Sequence, residues 1–269
     1  MGVLSTKIDR EQLNPGDHIY SWRTAYIYAH HGIYIGDGKV IQFAKGSKPD
    51  HKLNQESDTS TLSIMDKNKY HVNMFNNSRQ STRSRTTPCP NCGFLKIDFG
   101  VISSCLDCFL WGGELHLFKY GVSAAFFLAI GRSGTCSLAA SDAAEDVLYR
   151  AQYLLKTGEF GAYDLFRNNC EDFAVYCKTG LRGVMVTRTG VGISGQVVSL
   201  LAASGSLVFS LQLLLVSSAV GCLGGFVALG VGIYCVGRLN FDVGVRCDVT
   251  KVKVESLNVI DCGGDDFYI

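Results

Sequence analysis

The chain has 269 residues, of which 18% are charged, with a formal net charge of +1 and a mean hydropathy of +0.15. So small a charge carries no global signal for nucleic acid, and no nucleic-acid partner is expected. The polar N-terminus, with no apolar h-region, carries no secretory signal, so the eleven cysteines are expected to be mostly free or metal-bound thiols in a reducing compartment.

Leu13-Asn14-Pro15-Gly16-Asp17 reads as a turn feeding a strand, His18 to Trp22, on which His18 is expected to be structural. A second strand spans about Tyr26 to Ile35 and a third Lys39 to Phe43, around Gly36-Asp37-Gly38. Loop length decides which side chains share a face. A two-residue loop mixes polar and apolar residues on both faces. A three-residue loop puts Ile33, Ile35, Ile41 and Phe43 on one face and His30, Gly32, Tyr34, Val40 and Gln42 on the other. The cleaner sorting favours the three-residue loop, whose glycines allow positive φ. It pairs His30 with Gln42 and turns His31 toward the core; a slip by one residue would exchange the two histidines.

Residues 45–87 are rich in Lys, Ser, Asn, Asp, Thr and Arg and read as a long solvated insertion, flexible in character. Cys89-Pro90-Asn91-Cys92-Gly93 and Cys105-Leu106-Asp107-Cys108 then offer two C-x2-C pairs, a pattern that supplies four thiolates to a tetrahedral structural zinc. Disulfides and plain buried thiols are the alternatives. Four ligands would fill the metal, so this module, residues 89–108, is not read as catalytic. Glu114 to Gly121 alternates as a strand, with His116 facing solvent. Ser141 is expected to cap a helix over 142–156, ended by Gly158.

Asn168 or Asn169 is expected to cap a second helix that opens with Cys170-Glu171-Asp172. A cysteine there lies among helix-terminal amide dipoles that favour a thiolate, and an imidazolium nearby would favour it further. Cys170 and His30 are thus a candidate nucleophile and base. A buried small residue and a structural strand histidine are the plainer readings of the same two positions.

Asn14-Pro15-Gly16-Asp17, His30-His31-Gly32-Ile33-Tyr34-Ile35-Gly36-Asp37-Gly38 and Asn169-Cys170-Glu171-Asp172-Phe173, in that order, resemble the lecithin:retinol acyltransferase (LRAT) domain family of permuted papain-like thiol hydrolases. The C-x2-C pairs and Gln42 look like its plant-type branch, the NC-domain proteins. The resemblance implies an α+β fold over residues 10–183, an antiparallel sheet packed on helices. It implies His30 as base, Cys170 as nucleophile and Gln42 at the third position, where relatives usually carry His. It further implies acyl transfer or phospholipase A-type hydrolysis through a thioester, on phospholipid or another acyl lipid, with no metal in the chemistry. An amide at position 42 supplies no charge, which keeps open a catalytically weak scaffold or binding protein at a membrane.

No charged residue lies between Arg188 and Arg238. The segment 190–237 is long enough for two spans of about 20 residues each, 195–217 and 219–236. A C-terminal hydrophobic helical hairpin in a membrane is therefore expected, with the catalytic domain facing the cytosol, against the alternative of a buried apolar helical pair. Residues 238–269 read as a polar tail with a short strand, Val249 to Val254.

Overall fold

The computed structural model describes residues 6–23, 28–45, 88–95, 99–130, 134–183 and 223–257. The insertion beyond residue 45 and the first proposed span, 195–217, lie outside the described residues. Five antiparallel strands form one sheet: β1 (His18–Arg23), β2 (Tyr28–Gly36), β3 (Lys39–Ala44), β4 (Gly100–Cys105) and β5 (His116–Leu117), in the order β4-β3-β2-β1-β5. Helix α1 (Leu106–Leu110) follows β4 directly, α2 (Ala124–Ala129) follows β5, and α3 (Ala144–Thr157) and α4 (Cys170–Thr179) pack together.

The β2–β3 hairpin turns on two residues, Asp37 and Gly38, with Gly36 paired to Lys39, so the expected three-residue loop is corrected. Both turn residues have positive φ, 50° and 66°, the twist that tight hairpins require. A register shift between Tyr34 and Gly36 then restores the expected pairing, Tyr34↔Val40, Ile33↔Ile41 and Gly32↔Gln42. The face sorting therefore holds by another route. Ile33, Ile41 and Phe43 lie in the core with Val147, Ala151, Leu154, Phe173 and Ala174 of α3 and α4. On the opposite face, Ile19 and Val40 pack with Leu106, Phe109 and Leu110 of α1.

The cap of α3 is Ala143 rather than Ser141, while Gly158 ends the helix in the left-handed conformation as expected. The strand expected over 114–121 shrinks to His116–Leu117, and His116 is half-buried, stacked on Tyr20 at 5.1 Å rather than turned to solvent.

The C-terminal expectations need two corrections. The described helix there is α5 (Leu223–Asn240), and among the described residues no helix is long and apolar enough to cross a membrane. The helical hairpin is thus not supported. The described residues show how α5 ends. Arg238 is buried with its guanidinium 4.4 Å over the Phe127 ring, and Asp242 accepts hydrogen bonds from Ser137 Oγ and the Leu138 amide, so this end is anchored in the domain. Nor are residues 238–257 a polar tail. Strand β7 (Val249–Lys251) pairs with β6 (Leu181–Gly183), which follows α4 directly, and this brings Val252, Val254 and Leu257 into the main core.

Gly32 is required by close approach. A Cβ there would lie 2.7 Å from Val40 Cγ1 and 2.9 Å from Phe109 Cε2. Gly32→Ala is expected to lower stability by about 1–3 kcal/mol, as overpacking does, read as a lower midpoint in urea unfolding.

Candidate active site

The start of α4 is fixed by a reciprocal cap. Asn169 Oδ1 accepts from the amides of Glu171 (2.8 Å) and Asp172 (3.2 Å), and Asp172 Oδ2 accepts from the Asn169 amide (3.0 Å). Asn169 Nδ2 also donates to the Leu165 carbonyl at 2.8 Å, tying the preceding loop to the helix. Cys170 is held as the first helical residue. The amides of Glu171 and Asp172 are engaged by Asn169, so neither is open to an incoming oxyanion.

Cys170 Sγ lies against the main chain of β2. It donates to the Ala29 carbonyl at 3.9 Å, and the His31 amide points to it from two residues further along. Strand geometry explains why these groups are open. The Tyr34 backbone bonds Asp17 and Gly16 on the β1 side, so by alternation Ala29, His31 and Ile33 present theirs to the β3 side. Among the described residues, β3 pairing begins only at Gly32↔Gln42. The nucleophile sits where β3 has parted from β2, and the two backbone groups it touches flank His30.

His30 points to the other face, half-buried, as the alternation predicted. Its Nε2–H donates to Gln42 Oε1 at 2.5 Å, and Gln42 Nε2 donates to Ser104 Oγ at 2.9 Å. Ser104 thereby holds the amide beside the ring, and with Gln42 Oε1 facing Nε2 the ring is left with Nδ1 as its basic atom. The Phe109 ring lies 5.4 Å from the imidazole. Arg23 binds the carbonyls of Phe109 and Leu110, the latter at 2.8 Å, and so caps α1.

The electrostatics differ from the expected thiolate. Burial pushes the Cys170 thiol up to about 12, with Glu171 and Asp172 adding to the rise, while the His31 amide and the Tyr163 hydroxyl oppose it. Burial likewise lowers His30 to about 4, against the raising effect of Gln42 and with Arg23 lowering it further. Desolvation outweighs the helix dipole because Cys170 is 5% exposed and two acidic residues follow it directly.

A second polar group lies on the helix-facing side of the sheet. His18 Nδ1 meets the Tyr120 hydroxyl at 2.8 Å, His18 Nε2 meets His31 Nδ1 at 2.9 Å, and His31 Nε2 lies 4.0 Å from Glu171 Oε2. Burial and the neighbouring Asp172 raise Glu171 to about 8. Sequence reading placed His18 and His31 as structural but missed Glu171 and Tyr163. The only signal for Glu171 was its position beside Cys170.

Cys89, Cys92, Cys105 and Cys108 converge, their sulfurs all within 4.8 Å of one another. The separations Cys89–Cys105, 4.0 Å, and Cys92–Cys108, 3.8 Å, are far beyond a disulfide bond. They match the edge of a tetrahedron with metal–sulfur bonds of about 2.3 Å, which is about 3.8 Å. The Asn91 and Cys92 amides point at the Cys89 sulfur and lower it to about 7, as a turn built for a thiolate does.

Comparison with known proteins shows the family of the chain. Residues 11–183 match the family model described as lecithin retinol acyltransferase. The chain is 47% identical over 257 residues to Protein LEAD-SENSITIVE 1 of Arabidopsis thaliana, covering 96% of this chain and 90% of that protein. No solved structure matches it. The chain belongs to the lecithin retinol acyltransferase family.

Proposed function

We propose that this protein is a thiol acyltransferase or phospholipase A-type hydrolase that carries an acyl chain on Cys170. One observation carries the reading: the Cys170 sulfur is docked on the two backbone groups that flank His30, and the His30 ring is oriented by Gln42. The nucleophile follows the base-bearing strands in the chain, the order that a permuted papain-like enzyme has.

The chemistry starts from a neutral pair. Ionising the buried thiol is unfavourable by about 4 kcal/mol relative to a free cysteine, so a stored thiolate–imidazolium pair is not the resting state. The proton moves as attack occurs. His30 Nδ1 takes it from Cys170, the sulfur adds to the lipid ester carbonyl, and the Cys170 amide donates to the developing oxyanion. Collapse breaks the ester C–O bond, and His30 returns the proton to the departing alcohol. Water, an amine or an alcohol then gives a proton to His30 and attacks the thioester; the C–S bond breaks and His30 returns the proton to the departing Cys170 sulfur. Gln42 keeps the ring in one tautomer without adding charge. The Tyr163 hydroxyl, donating to the sulfur, steadies negative charge there.

The four-cysteine cluster is read as a structural zinc site outside this chemistry. In this reading the protein works on phospholipid at a membrane surface, with its catalytic domain in the cytosol, a reducing compartment that suits its thiols.

Incubation with phosphatidylcholine bearing a labelled acyl chain is expected to give a hydroxylamine-sensitive thioester on Cys170. Cys170→Ser should abolish it and His30→Ala should slow it by about 100-fold or more. Gln42→Ala should slow it by about tenfold, and Gln42→His should leave it intact. No adduct and no released fatty acid from the wild-type protein would instead favour a scaffold role. Iodoacetamide labelling of Cys170, followed by peptide mass spectrometry, should be slow near pH 7. Because the thiol is raised, labelling should still be climbing at about pH 10; a plateau below about pH 8 would mean a stored thiolate. Metal analysis should find stoichiometric zinc, lost in Cys92→Ser and Cys105→Ser.

A further inference from the structure

Two ligands of the metal cluster stand next in the chain to residues that hold the candidate base. Cys105 ends β4, and its neighbour Ser104 is the group that orients Gln42. Cys108 lies in α1, and its neighbour Phe109 covers the His30 ring. The same stretch supplies the carbonyls that hold Arg23. Ser104, Gln42 and Phe109 are all nearly fully buried, so none of them can reorient without moving the chain that carries them.

That chain needs an external fastening. α1 has five residues, far below the length at which a helix is stable alone. Cys105 and Cys108 bracket its start, and the opposing ligands Cys89 and Cys92 reach it from the turn that precedes β4. Four thiols within 4.8 Å hold together well around a soft divalent cation and poorly without one.

We propose that metal occupancy at Cys89, Cys92, Cys105 and Cys108 controls the geometry of the catalytic base, through Ser104–Gln42–His30 and through Phe109 packed on His30. Ser104 and Phe109 are positioning residues; neither touches a reacting atom. The ligand is a tetrahedral thiophilic divalent ion, of which zinc is the one to test. The inference rests on the reading of His30 as base, but its physical core, that the ring follows the metal, can be measured separately.

The test uses the full chain loaded with zinc, then stripped with EDTA and reloaded. Three readouts are followed: far-UV circular dichroism, the ¹⁵N signals of the His30 imidazole, and acylation of Cys170 by labelled phosphatidylcholine. Stripping is expected to leave the helical signal in place. It should also convert His30 from a fixed Nε2–H form to averaged ring nitrogens and slow acylation by about tenfold or more, all reversed by zinc. Ser104→Ala, still zinc-loaded, should reproduce the ¹⁵N change and part of the slowing. Unchanged His30 signals after zinc removal would overturn the proposal, and so would collapse of the helical signal with the metal. A His30 signal that follows zinc in a protein forming no thioester would uphold the coupling while removing the enzymatic reading.

Discussion

The contact between the start of α4 and the backbone of β2 is what the site depends on. Asn169 fixes where the helix begins, and β3 leaves β2 at Gly32, so the sulfur meets bare main chain at Ala29 and His31. Had the β2–β3 ladder continued two residues further, its strand would occupy that place. Because the backbone holds the nucleophile, the side chains at positions 29 and 31 are released for other work: Ala29 packs beside Tyr20 and Val175, and His31 joins the buried polar group.

The sheet divides the site's needs between its faces. The face toward α3 and α4 carries the large core, with Phe43, Phe160 and Phe173 packed edge-on, and the His18–His31–Glu171 group beside it. The face toward α1 carries the base and its orienting partners. Neighbouring residues of β2 thus serve different ends, His30 chemistry and His31 structure, and only the period of two along the strand separates them.

Much of this was legible in the sequence. Hydrophobic alternation placed His30 beside Gln42 even though the loop was misjudged, because the bulge at Ile35 restored the register that the burial pattern demanded. The Asn169 cap of α4 and the spacing of the four cysteines were also readable, since each depends on near neighbours. Features set by distant contacts were not. The helix start argues for a thiolate, but a sequence does not display the burial that reverses it at Cys170. A charge-free run looks the same whether it enters lipid or packs on protein, and only the seating of Arg238 on Phe127 reveals how α5 ends. The role of residues 249–257 needed the pairing of β7 with β6, a partner 70 residues away by the register Leu181↔Lys251.

The pairing Ala44↔Gly100 at the edge of the sheet has a consequence for how such a chain can diversify. Everything from residue 45 to residue 99 leaves and re-enters at adjacent points, so the two ends of this excursion are joined whatever its length. Closing a flexible loop costs only about 0.6 kcal/mol more for each doubling of its residues. Length and composition there are therefore nearly free to drift. The exception is the last stretch before re-entry, where Cys89 and Cys92 must still arrive opposite Cys105 and Cys108.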